Sequence, residues 1–269
     1  MLLMRHDSVG PSKRKMTLIS MWRARSCCRL SDSVDRLSDF ILIPGAWLNG
    51  RCWHVVAADL VRRGHRAWPV TLPGLGLDLQ SVDGRTITLD DHVEFVVSLI
   101  RREVLDGVCL VGHSYAGLVT GSVANLLPDR VRQLVYVDAN LPRDQRSLLD
   151  DWSDAGRTSV LEQAETNNGR WPPPHDLGAA GSDLTPRQRR ALVAEMTAHP
   201  IGTLTQPARL SDGPYVPTVY VQCTISSKDL SKPVADLLST GAQLEKFSVG
   251  HWPMASAPRR LADVLTGLI

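Results

Sequence analysis

Short unbroken apolar runs alternate along the chain with stretches whose apolar positions recur three or four residues apart. Phe40-Ile-Leu-Ile43 has no polar break, as expected of a strand buried on both faces. From Trp53 the apolar positions 53, 56, 57, 60 and 61 fall at helical spacing, and Gly64 supplies a stop. Arg66 to Val70 reads as a second strand, closed by the turn-rich Thr71-Leu-Pro-Gly-Leu-Gly76. A helix fits Leu89 to Val104, and a strand begins at Val108. Leu118, Val119, Ser122, Val123, Leu126 and Leu127 then share a helical face that Pro128 ends, and Val131 to Val137 is a strand again. Towards the C-terminus come a strand at Thr218–Cys223, a helix near Val234–Leu238, a strand at Gln243–Val249 and a helix from about Ala257 to Ile269. Strand and helix in alternation build a mostly parallel sheet with helices on both faces, an α/β fold.

The alternation breaks once. Leu141 to Pro217 holds no buried strand, but has Trp152, Trp171, Pro172-Pro-Pro174 and helical character near 145–165 and 186–198. A structureless loop of that length does not belong in a compact domain, so residues 141–215 are expected to form an inserted helical cap over the carboxyl edge of the sheet, where open α/β sheets bind ligands. Residues 38–140 and 216–269 then make the core.

Residues 1–37 show neither periodicity and are expected to be a mobile extension. They carry eight Lys and Arg against three Asp, a net of +5, so with +2 for all 269 residues the remainder carries −3. That balance gives no basic surface for nucleic acid. No run approaches the 18 apolar residues of a membrane span, and the apolar stretch after the basic start is too short for a secretory signal. Five cysteines (Cys27, Cys28, Cys52, Cys109, Cys223) form no metal-ligand spacing, and Cys109 and Cys223 fall inside apolar strands, which suits buried thiols in a reducing, cytoplasmic setting.

The chemistry centres on Gly112-His-Ser-Tyr-Ala-Gly117, which follows the Val108 strand and opens a helix. Strand, Ser turn and helix in that order match a nucleophile elbow, which holds the Ser hydroxyl clear of the sheet. Small residues at 112 and 116 suit so tight a turn. Ser114 needs a base, and among eight histidines His251 stands between the last strand and the last helix. His113 points elsewhere, because neighbours in a tight turn diverge, and is expected to pack beneath the elbow. Asp229, after the strand 218–223, gives the chain order Ser, Asp, His; its rival is Asp138, at the carboxyl end of the strand before. The oxyanion donors are expected to be the backbone N–H groups of Tyr115 and Ala46.

These residues resemble the α/β-hydrolase superfamily, and within it the group containing plant methylesterases, hydroxynitrile lyases and many bacterial esterases. The resemblance covers residues 39–269 and rests on Ile43-Pro-Gly-Ala-Trp47, Leu72-Pro-Gly-Leu-Gly76, the elbow with Val135-Tyr-Val-Asp-Ala139, and Gly250-His-Trp-Pro-Met254. Pro44 departs from the family, which usually has His there. Trp252 stands where hydroxynitrile lyases carry the Lys that handles cyanide, which argues against that chemistry. Ile225-Ser-Ser-Lys-Asp229 matches the acid-bearing turn loosely, which leaves Asp138 open.

The resemblance implies an α/β-hydrolase fold and cleavage of a small-molecule ester or lactone, with Ser114 as nucleophile and no metal or organic cofactor. The protein is expected to be a monomer or homodimer without nucleic-acid or membrane partners. Trp47, Leu48, Trp152, Trp171 and Met254, with Tyr115, are expected to line an apolar pocket for an aromatic substrate. Two other readings use the same residues: an acyltransferase or cyclase, in which a nucleophile other than water takes the acyl group, and a ligand receptor with little turnover.

Overall fold

The structure, a computed structural model, describes residues 37–76, 82–212, 215–226 and 229–269. The extension expected over 1–37 therefore lies, but for Leu37, outside the described residues.

The chain opens with β1 (Asp39–Ile43), every residue of it buried, then α1 (His54–Arg62), β2 (Arg66–Pro69), α2 (Leu89–Arg102), β3 (Val108–His113), α3 (Ala116–Leu126) and β4 (Val131–Val137). An inserted segment follows, with α4 (Asp154–Glu165), β5 (Arg170–Trp171), α5 (Pro186–Ala194), β6 (His199–Pro200) and α6 (Gly202–Thr205). The alternation resumes with β7 (Thr218–Cys223), α7 (Lys232–Ser239), β8 (Gln243–Phe247), α8 (Pro253–Ser256) and α9 (Pro258–Gly267).

Six strands form one sheet in the order β2-β1-β3-β4-β7-β8, each pair parallel. Successive side chains of a strand point to opposite faces, so the apolar runs are shared between two cores. Ile41, Ile43, Leu110, Leu134 and Tyr136 face the helix residues Val93, Val96, Val97, Val119 and Val123 of α2 and α3. Phe40, Leu42, Cys109, Val111, Val135 and Val221 face Val56 and Leu60 of α1 and Leu261 and Leu265 of α9. An amphipathic stripe and a capping box between Thr88 and Asp91 account for α2. Val61 and Leu126, which the spacing assigns to buried faces, are more than half exposed because each lies at the end of its helix.

Strand order reverses at β1, which has β2 on one side and β3 on the other. The loops after β1 and β3 therefore leave in different directions and open a crevice at the carboxyl ends of the strands. In the inserted segment β5 and β6 pair antiparallel, and Arg170 fastens it to the loop after β2. Arg170 is buried and donates to the carbonyls of Gly74 (2.9 Å), Ala198 (3.3 Å) and Val82 (2.9 and 3.1 Å). Among the described residues, no helix is long and apolar enough to cross a membrane, and no cluster of His, Cys, Asp or Glu is arranged to hold a metal ion.

Candidate active site

The parallel ladder fixes the elbow before any side chain is considered. Ser114 N–H donates to Val137 O (3.2 Å), and the Ser114 carbonyl accepts from Gly117 N–H (3.1 Å) and Asn140 N–H (3.0 Å). Ser114 is held at φ 52°, a left-handed conformation that few non-glycine residues adopt. The turn leaves no space at Gly112, where a Cβ would run into the Thr120 side chain and the Ala116 carbonyl. The loop after β1 lies equally close: a Cβ at Gly45 would come within 2.8 Å of the Ser114 Cβ and 2.9 Å of His113 Nδ1.

His251, in the loop after β8, places Nε2 3.1 Å from Ser114 Oγ. Its Nδ1 lies 2.6 Å from Asp138 Oδ2. The carboxylate on the imidazole is thus that of Asp138, and the expectation of Asp229 is corrected. Asp138 N–H extends the ladder to Val221 O (2.8 Å), and a φ of 45° then swings the side chain over the sheet edge towards His251. Asp229 sits further along the loop after β7, and the two ring nitrogens of His251 meet Asp138 and Ser114 instead. Ser226 Oγ (2.7 Å) and, weakly, Cys223 N–H (3.4 Å) also donate to Asp138. Burial alone would raise the Asp138 carboxyl, but the hydrogen bond and charge of His251 and the Ser226 hydroxyl outweigh it and hold the group below its ordinary range.

His113 does lie beneath the elbow, and it has a task there. Its Nε2–H donates to the His251 carbonyl at 2.6 Å, fixing the backbone that carries the imidazole. Burial, then the neighbouring His251, pushes the His113 pKa down to about 3, so it stays a neutral donor. On the far side of α3, the Tyr115 hydroxyl donates to His92 Nδ1 (2.9 Å), and His92 Nε2–H donates to Pro73 O (2.8 Å). Burial lowers His92 to about 4 and raises Tyr115, so both stay uncharged and the first residue of the helix turn is anchored by its side chain.

Ser114 and His251 open on a cavity of about 380 Å³. Trp47, Tyr115, Trp152 and Trp171 of the expected set line it, and Ala46, Asn140, Leu148, Pro174, Asp176, Leu177 and Trp252 join them. The indoles form a continuous wall: Trp47 and Trp171 rings are centred 4.2 Å apart, and Trp152 meets Trp171 edge-on at 5.5 Å. Leu48 and Met254 are corrections to the expected lining. Both are buried in the core against α1 and α9, because the loop after β1 turns Leu48 away from Trp47 and α8 turns Met254 beneath the sheet edge. Among the described residues, no Lys or Arg lines the cavity, and the lining carboxylate Asp176 is 2.7 Å from Arg189. Among the described residues, the backbone N–H groups of Ala46 and Tyr115 have no protein acceptor.

The model of the alpha/beta hydrolase family matches residues 40–264. The chain is 31% identical over 246 residues to a carbendazim hydrolyzing esterase from Nocardioides sp. (strain SG-4G), covering 86% of this chain and 100% of that one. It is 23% identical over 245 residues to putative methylesterase 11, chloroplastic, of Arabidopsis thaliana, covering 84% of this chain and 62% of the relative. Among solved structures, an extracellular alpha/beta-hydrolase from a Paenibacillus species superposes with a TM-score of 0.75 at 21% identity, covering 86% of this chain and 98% of that one. That structure is described as sharing structural and functional homology with tobacco salicylic acid binding protein 2.

Proposed function

The chain belongs to the alpha/beta hydrolase family, and from that premise we propose that it is a serine esterase acting on an uncharged ester or lactone of a small apolar or aromatic molecule. The observation that carries the reading is the unbroken contact from Ser114 Oγ to His251 Nε2 (3.1 Å) and from His251 Nδ1 to Asp138 (2.6 Å), at the wall of an aromatic cavity. The esterase and methylesterase names of the relatives agree with it.

Ser114 Oγ attacks the carbonyl carbon while its proton passes to His251 Nε2, and Asp138 stabilises the imidazolium that results. The carbonyl oxygen becomes an oxyanion and accepts from the N–H groups of Ala46 and Tyr115. The intermediate collapses, the bond to the leaving alcohol breaks, and Nε2 returns its proton to that alcohol. Water then adds to the acyl-enzyme by the same path, giving the acid and restoring Ser114. The indole wall supplies the apolar surface for the substrate, and the absence of Lys and Arg among the described lining residues disfavours one with a free carboxylate.

The test is intact-protein mass spectrometry after exposure to a fluorophosphonate, beside hydrolysis of a short-chain aryl ester. A single adduct and turnover, both lost in Ser114→Ala, are expected. Folded protein without an adduct would sink the triad mechanism. Product analysis with added alcohol separates hydrolysis from acyl transfer, and an acyl-enzyme that forms without release would identify a receptor.

A further inference from the structure

The loop after β1 has to present the Ala46 N–H at the cavity, and its conformation is not one that the chain adopts unaided. Trp47 has a φ of 66°, in the left-handed region that a residue with a side chain seldom adopts without restraint. The restraint comes from the inserted segment. Trp47 N–H donates to His199 Nδ1 at 3.3 Å, and the Trp47 carbonyl accepts from Thr197 N–H at 2.8 Å. The stretch Thr197–His199 thus grips the peptide groups on both sides of Trp47.

The imidazole is itself locked. A backbone N–H can only donate, so Nδ1 of His199 is bare and the ring proton is on Nε2. That Nε2–H is given to Thr203 Oγ1 at 2.8 Å, and the Thr203 hydroxyl donates to Pro200 O, also at 2.8 Å. A bare Nδ1 accepts an N–H and repels a carbonyl. Rotation of the 46–47 peptide would bring the Ala46 carbonyl to it, lone pair against lone pair. His199 is fully buried, and burial, then the neighbouring His92 and Arg170, keep it neutral by holding its pKa well below the ordinary value.

We infer that His199 is a positioning residue for the oxyanion site: its bare Nδ1, locked by Thr203, fixes the 46–47 peptide and, through Ala46 Cα, limits how the adjoining 45–46 peptide that carries the Ala46 N–H can turn. The inference rests on the esterase reading above, in which Ala46 supplies an oxyanion donor. His199 does not line the cavity; it holds the loop through Trp47, and its ring also packs edge-on against Tyr115 with centroids 4.6 Å apart.

Three variants test it. His199→Phe keeps a ring and removes the acceptor, His199→Asn keeps an acceptor near the place of Nδ1, and Thr203→Val removes the group that fixes the tautomer. For each, kcat and KM are measured on an aryl ester. Inhibition is measured with an aryl trifluoromethyl ketone, whose adduct with Ser114 places an oxyanion in the site, and with the matching alcohol, which forms no adduct. His199→Phe is expected to lower kcat and ketone affinity together by about ten- to hundredfold, with KM and alcohol affinity unchanged within about twofold. Thr203→Val is expected to give a smaller loss of the same kind, and His199→Asn to recover most of the rate.

Wild-type kcat in His199→Phe overturns the inference. So does equal weakening of ketone and alcohol, or a His199→Asn no better than His199→Phe. Should His199→Phe fail to fold, Thr203→Val at wild-type kcat and ketone affinity overturns it. Failure of the esterase reading looks different: the wild-type protein itself then shows neither Ser114-dependent turnover nor a ketone adduct.

Discussion

The half of the cavity built on the sheet and the half built from the inserted segment are held by different forces. Ser114 and Asp138 sit at the ends of β3 and β4, and Trp47 follows β1; all three are non-glycine residues with positive φ. Each such conformation costs about 1–3 kcal/mol and persists because the surrounding hydrogen bonds fix it. Trp152, Trp171, Pro174 and Leu177 come instead from turns and short elements, and the indoles among them meet ring against ring. Backbone hydrogen bonds place reacting atoms to within tenths of an ångström, whereas apolar contact tolerates repacking. In the proposed mechanism the sheet half therefore carries the reacting atoms, with Thr197 and His199 of the inserted segment holding the loop after β1, and the indole wall governs which molecule is held.

The largest effect that would break this division is at the acid. Asp138→Asn is expected to lower kcat by about 10³–10⁴, while Asp229→Asn leaves it within about twofold, in steady-state assays on an aryl ester. Equal losses would return Asp229 to the site. Next in size, Trp171→Ala is expected to lower kcat/KM about ten- to hundredfold through KM, with kcat held within about threefold. A collapse of kcat at unchanged KM would give the indole wall a part in the chemistry. Smallest is the strain itself: Ser114→Gly is expected to unfold in urea with about 1 kcal/mol more stability than Ser114→Ala, because glycine adopts φ 52° freely. Coincident midpoints would show that the elbow stores none.

The two halves also differ in how far the chain discloses them. Unbroken runs such as Phe40–Ile43 reveal the parallel sheet, since a strand buried on both faces has no polar alternation to interrupt it. Gly112 to Gly117 reveals the elbow because few sequences satisfy so tight a strand-to-helix turn. The carboxylate that meets His251 is legible in the sequence only as a choice between Asp138 and Asp229. What decides it is a φ of 45° and the spacing of neighbouring strands, which no residue type announces, although Asp tolerates that conformation better than most. In the inserted segment Trp152 and Trp171 stand out by composition. His199 does not: its partner is the N–H of Trp47, 152 residues away, and a backbone group leaves no signature in sequence. Leu48 and Met254 were misplaced for a related reason, since adjacency to Trp47 and His251 in the chain does not fix which face of a loop a side chain takes.

His251 lies 137 residues beyond Ser114 and 113 beyond Asp138. In the proposed mechanism a growing or refolding chain can therefore complete the elbow and set Asp138 beside it while the Ser114 hydroxyl still lacks the base that removes its proton. The unfinished molecule is chemically silent, however well collapsed, until β8 has paired with β7 and delivered its loop. Recovered turnover is thus a clock for the docking of the last strand, and for no earlier event.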